Sequence, residues 1–179
     1  IICLIHSKEI NHEVGSLINK RLIKSTNKAN FVIANSNFTK NLAIKVGINP
    51  SKIKVIFPGI YQPKIIEKEF KEEANKIYKD SFPKIITVAR LEKRKSHDKI
   101  LMSIKNLKSK FPKIKYISIG FGNEENNLKE LTKKLAIEKK VIFFKNIDEN
   151  LKLALIEASN LFLMPSIIYN KSVEGFGIS

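Results

Sequence analysis

Apolar positions along the chain fall into two kinds of run that alternate. Short β-branched runs at 1–5, 31–34 and 53–57 read as buried strands. Between them, Val14, Leu17, Ile18, Leu22 and Ile23 recur at helical spacing, which predicts a helix from residue 14 to about 25. Ser36 caps a second helix whose apolar face is Phe38, Leu42, Ala43 and Val46, and Gly47 stops it. The pattern then changes. Residues 61–83 carry Pro63, a charged helical stretch at 67–79 and Phe82-Pro83, and read as a connection between domains. A second series follows: strands at 85–89, 114–119, 141–144 and 161–164, with helices at about 98–109, 124–136 and 148–158 between them.

Apolar strands alternating with amphipathic helices imply parallel strands joined by crossover helices. The expectation is an α/β chain with domains at 1–60 and 84–179. Ligands of such sheets sit beyond the carboxyl ends of the strands. The turns after Ile5, Ala34, Phe57, Ala89, Ile119, Phe144 and Met164 are therefore the places to look for chemistry.

Composition narrows the classes. The 179 residues are 43% hydrophobic, enough for packed cores. No apolar run approaches the roughly 18 to 20 residues of a membrane span. The opening 1–5 run has neither the basic flank nor the cleavage site of a signal peptide, and the absence of an initial Met suggests a missing N-terminus. One cysteine, Cys3, permits no internal disulfide and suits a reducing cytoplasm.

The net charge of +16 invites a nucleic-acid reading. Nearly all of it is lysine, spread along the chain; the only arginines are Arg21, Arg90 and Arg94. Arginine is the residue of bidentate base reading, so no nucleic-acid partner is expected. Lys, Ile and Asn are abundant together, as an A+T-rich genome would produce, and solubility explains the rest. Peripheral contact with an anionic membrane surface is the second reading.

At the strand ends, local evidence leaves each residue two readings. His6 is a sugar-hydroxyl donor or a surface histidine. The zincin spacing would need His where Ser16 stands, so no metal site is expected. Arg90-Leu91-Glu92-Lys93-Arg94-Lys95 is a diphosphate grip or a solvated basic loop. Gly120-Phe121-Gly122 is open enough for ligand approach, but Glu125 holds the third glycine position of a dinucleotide fingerprint. Glu174-Gly175-Phe176-Gly177, after Pro165-Ser166, offers backbone N–H groups to phosphate or makes a plain glycine turn.

Together these segments resemble the large retaining glycosyltransferase family with the GT-B fold, family 4. The resemblance rests on Ala29–Ser36, on Lys54-Val55-Ile56-Phe57-Pro58-Gly59-Ile60, on Ala89-Arg90-Leu91 with Lys95, on Ile119–Gly122, and on Ala158–Ser166 followed by Glu174–Gly177, in the family's order. It implies two Rossmann-like parallel-sheet domains, both incomplete here: the end of an acceptor domain and the start of a donor domain. It implies transfer of a hexose, with retention, from a nucleotide-diphosphate sugar to a glycan, lipid-linked or small-molecule acceptor, as in polysaccharide biosynthesis. His6 would face the transferred sugar, Arg90 and Lys95 would bind the diphosphate, and Glu174 would contact the donor sugar. Gly59, Gly120, Gly122, Pro165 and Phe176 would line the donor site, with the base resting near Ile147. Gly175 and Gly177 would open a turn into a phosphate-binding helix.

The resemblance has departures. Ala89 and Ser96 stand where the family carries glycine, which requires negative φ at both. Ile60-Tyr61 replaces Val-Asp, and Lys145 stands where glycine is common. A second glutamate, expected eight residues after Glu174, would fall beyond Ser179, so the chain by itself is expected to be inactive. The alternative is a catalytically inactive GT-B-like partner subunit. No cofactor or metal is expected, the nucleotide sugar being a co-substrate. Arg90, Lys95 and a helix N-terminus would stabilise the departing diphosphate. The expected location is the cytoplasm, with peripheral attachment to the inner membrane face.

Overall fold

A computed structural model describes residues 1–59, 65–170 and 173–177, with Lys8 described by its backbone alone. It divides into two compact units, one formed by the described residues of 1–62 and 167–178, the other by those of 63–166.

The first unit is a parallel three-stranded sheet in the order β1 (Ile2–Ile5), β2 (Phe31–Ala34), β3 (Ile53–Val55). Its helices are α1 (Ser7–Ile10), α2 (Leu17–Thr26) and α3 (Asn37–Lys45). Ser16 and Ser36 cap α2 and α3, each accepting the backbone N–H three residues on. The expected start of α2 at residue 14 is displaced because Gly15 takes φ +86 and Ser16 is the cap. Val14, Leu17 and Ile18, expected on a buried face, are exposed; Val32, Ala34, Ala43, Val46 and Ile48 form the core instead. The four-residue α1 escaped prediction because one turn shows no periodicity.

The second unit is a parallel four-stranded sheet in the order β6 (Val141–Phe144), β5 (Lys115–Ile119), β4 (Lys84–Val88), β7 (Leu161–Phe162). Alternation along the strands explains how both faces are covered. Ile85 and Tyr116 point into a cluster with Ile100, Leu101 and Leu128, from α5 (His97–Leu107) and α6 (Glu125–Lys134). Ile86 and Ile117 point the other way, onto Ala74, Tyr78 and Leu155, from α4 (Lys68–Tyr78) and α7 (Glu149–Glu157). Each fully buried Ile or Leu contributes roughly 2 kcal/mol by leaving water.

Two groupings differ from the expected domains. The 67–79 stretch, read as part of a connection, packs into the second unit because Ala74 and Tyr78 are fully buried there. Residues 167–178, expected in the donor domain, group with the first unit. The expected domain end at Ile60 and the start of the connection at Tyr61 lie outside the described residues. Among the described residues no helix is long and apolar enough to cross a membrane.

Several lysines act inside the fold. Lys52 donates to the carbonyls of Asn27 and Ala29 at the end of α2, at 2.5 and 3.0 Å. Lys108 donates to Ala136 beyond α6, and Lys115 to Ile77 in the last turn of α4. Lys140 donates to the Pro112 carbonyl. Helix ends leave carbonyls unsatisfied and carry partial negative charge, so an ammonium there is favourable twice over.

Candidate functional site

The strand order of the second unit reverses at β4: β5 and β6 are laid down on one side, β7 on the other. Ligands of open parallel sheets bind at such a switch point, beyond the carboxyl ends. Residues 89–96 leave β4 at that place. Arg90 is exposed there and pairs with Glu92 at 2.8 Å. Lys95 is only 7% exposed, on the short helical turn Lys93–Lys95. Its Nζ lies 3.8 Å from Met164 Sδ, just past β7. The structure thus brings a buried lysine and an exposed arginine to the two strands that flank the switch point.

The glycines of the 120–122 turn brace this loop. A Cβ on Gly120 would lie 2.1 Å from the Ala89 carbonyl oxygen, and φ is +147. A Cβ on Gly122 would lie 2.3 Å from the Leu91 carbonyl oxygen. The contact is hydrogen-bonded throughout: Ala89 N–H to Ile119 O, Leu91 N–H to Phe121 O and Glu124 N–H to Leu91 O. Both glycines therefore let one loop lie directly on the other. The side chain of Ile147 packs against the core below α7, and Pro165 is exposed after β7.

Ser96 breaks the condition set by the sequence. Ala89 keeps negative φ, but Ser96 has φ +52, ψ +38, the left-handed region, and its buried Oγ has no hydrogen-bond partner. The chain must turn there to start α5, and serine takes the strained conformation that glycine would take freely.

His97, the next residue, was not anticipated. It is 2% exposed. Its Nε2 lies 3.2 Å from the Arg90 carbonyl, and its Nδ1 lies 3.0 Å from Tyr116 Oη and 3.4 Å from Ser118 Oγ. Burial pushes the imidazole pKa below its usual value; Lys95 pushes the same way, while the Arg90 carbonyl and Asp98 oppose. Burial pushes the Tyr116 phenol up to about 12.

The other predicted residues lie in the first unit. His6 is exposed at the end of β1, where it precedes α1. The 174–177 segment meets the ends of all three strands. Ser36 Oγ, after β2, donates to the Gly175 carbonyl at 2.6 Å. A Cβ on Gly175 would lie 2.5 Å from Ser7 Oγ, after β1. The rings of Phe176 and Phe57, after β3, stand 6.0 Å apart. Glu174 is half-buried, and Gly177 takes φ +79. The helix expected after Gly177 lies outside the described residues. Gly59 is exposed with open space where a Cβ would be. A groove of about 490 Å³ in this unit, lined by Phe38, Asn41, Leu42, Lys45 and Ile168, includes no predicted residue. Among the described residues no group of three His, Cys, Asp or Glu stands together as a metal site would require.

Residues 67–179 match the family described as Glycosyl transferases group 1. The chain belongs to this family. Among curated relatives of the family, it is 23% identical over 167 residues to the phosphatidylinositol N-acetylglucosaminyltransferase gpi3 subunit of Schizosaccharomyces pombe, covering 92% of this chain and 34% of that protein. It is 28% identical over 172 residues to an uncharacterised glycosyltransferase of Methanocaldococcus jannaschii, covering 93% and 39%. The chain thus spans little more than a third of these relatives. Among solved structures, Anabaena HepE in complex with UDP superposes with a TM-score of 0.75 at 18% identity, covering 92% of this chain and 46% of that one. Sucrose-phosphate synthase from Thermosynechococcus elongatus superposes at 0.72 and 16%, covering 99% and 46%. The α/β fold with parallel Rossmann-like units is that of GT-B glycosyltransferases.

Proposed function

We propose that the protein is a retaining glycosyltransferase of family 4, moving a hexose from a nucleotide-diphosphate sugar to a glycan, lipid-linked or small-molecule acceptor. The observation that carries this reading is the cationic 89–96 loop at the switch point, with Lys95 buried against Met164. A departing nucleoside diphosphate gains negative charge as the glycosidic bond breaks. A buried lysine and a neighbouring exposed arginine, both carried on a braced loop, stabilise that charge more in the transition state than in the ground state. HepE has been solved with UDP-glucose, which supports a uridine nucleotide as the first donor to try. His6 and Glu174 orient sugar hydroxyls, and the leaving phosphate assists deprotonation of the acceptor. Arg90 and Lys95 supply the electrostatic work, so no metal is needed for it.

The test is release of UDP or GDP from a panel of sugar nucleotides by the full-length protein, with the product anomer read by NMR. Lys95→Ala lowers turnover at least ~100-fold, as for loss of a charge-stabilising donor. Near-normal turnover would remove Lys95 from the mechanism. An absence of release from every sugar nucleotide would overturn the transferase reading, and an inverted product would overturn retention. The charge of +16 further supports peripheral contact with an anionic membrane. Failure to bind anionic liposomes at low salt would sink that attachment.

A further inference from the structure

We propose that His97 is a positioning residue for the diphosphate grip, its imidazole tying the Arg90 carbonyl to the buried Tyr116 and Ser118 of β5. The proposal rests on the reading that the 89–96 loop binds a nucleoside diphosphate.

The hydrogen-bond roles follow from the partners. A carbonyl only accepts, so Nε2 carries the proton and donates to Arg90 O. Nδ1 of the neutral ring then accepts, and the Tyr116 hydroxyl at 3.0 Å donates to it. The Arg90 carbonyl also accepts from Glu92 N–H at 2.9 Å, so both its lone pairs are engaged. Tyr116 and Ser118 sit at alternate positions of β5 and therefore on one face, the face α5 covers. His97 is the first residue of α5 and reaches back beneath the loop across the left-handed Ser96. A serine held in that conformation with a buried, unpartnered hydroxyl marks a turn that the surroundings enforce.

Several contacts hold the loop. The 120–122 turn holds Leu91, Met164 flanks Lys95, and His97 holds Arg90. The third acts directly at the backbone carbonyl of the exposed arginine. With both nitrogens engaged and 2% exposure, the ring is not a proton-transfer group for substrate.

The experiment uses the full-length protein and measures dissociation constants of UDP, GDP and ADP, each against its own nucleoside. The nucleoside reports the base pocket; the difference reports the diphosphate. Lys95→Ala and Arg90→Ala come first. If neither weakens the diphosphate, or no nucleotide binds, the reading of the loop fails and the role of His97 with it. Given that they do, His97→Leu weakens the diphosphate about tenfold, the worth of one hydrogen bond of ~1.4 kcal/mol, and leaves the nucleoside unchanged. His97→Gln, whose amide N–H reaches the same carbonyl, stays within about threefold of the original protein. Tyr116→Phe, which keeps the imidazole but frees its tautomer, falls between the two and serves if His97→Leu does not fold. In an Arg90→Ala background the His97 penalty shrinks. The proposal is overturned if His97→Leu binds normally, if Gln loses as much as Leu, or if nucleoside and diphosphate weaken together.

Discussion

The strand ends of the two sheets are held in different ways. In the first unit the 174–177 segment meets β1, β2 and β3 through side chains: the Ser36 hydroxyl, the Ser7 hydroxyl and the Phe57 ring. In the second unit the 89–92 and 120–124 stretches meet backbone to backbone, through carbonyls that a glycine Cβ would strike. Side chains rotate, while main-chain carbonyls locked in a hydrogen-bonded ladder do not. The first arrangement tolerates adjustment; the second fixes the cationic loop in one place. On the proposed reading of the loop as a diphosphate grip, this rigidity matters, because electrostatic stabilisation of a leaving group depends on donors already in position.

This contrast is most directly broken at the glycines. Gly120→Ala, with backbone 2.1 Å away and φ +147, destabilises the second unit by about 3 kcal/mol. Gly175→Ala meets the Ser7 hydroxyl, which can turn aside, and the Ser7 Cβ at 3.2 Å, which must give by a few tenths of an ångström; it costs about 1 kcal/mol. Hydrogen exchange of β4–β5 and of β1–β2 amides, compared between the two variants, reads each unit separately; equal losses would erase the distinction.

Ser96→Gly sharpens it in the opposite sense. Removing the left-handed strain stabilises the second unit by about 1 kcal/mol, visible as a higher urea midpoint at unchanged slope. A loss would mean that the serine Oγ has a role its surroundings do not reveal.

The last effect is one of pH. The folded His97 pKa lies below the unfolded value of 6.5, because burial and Lys95 outweigh the Arg90 carbonyl and Asp98. The unfolded chain therefore binds the proton more readily. The contribution is fully present above pH 6.5 and is lost as pH falls from there through the folded pKa. His97→Gln removes this slope from the second unit's stability. An unchanged slope in that variant would assign the titration elsewhere.

The fold was legible where hydrophobic period and turn chemistry agreed. Ile85-Ile86 and Ile117 announce strands buried on both faces, and Ser36 with Gly47 brackets α3. Tertiary contact decided what local pattern could not: Val14, Leu17 and Ile18 have helical spacing but are exposed, and Tyr78 turned an apparent linker into core. Arg90 and Lys95 could be placed at a strand end from order alone. Lys95's burial could not, because contacts such as that with Met164 come from residues distant in sequence. His97 fell just outside the predicted helix. A signal for it existed nonetheless: Tyr116 and Ser118, polar groups that alternate with Ile117 and Ile119 in a buried strand, need a buried partner.

The lysines that donate to carbonyls carry a consequence for how the molecule meets polyanions. Lys52, Lys108, Lys115 and Lys140 donate to carbonyls within the fold, and still contribute to the field that a distant phosphate surface feels. At contact, each of these ammonium groups has already committed one or two of its three N–H donors to a carbonyl. These four lysines therefore add to the long-range field while offering phosphate fewer N–H donors than a fully solvated lysine does.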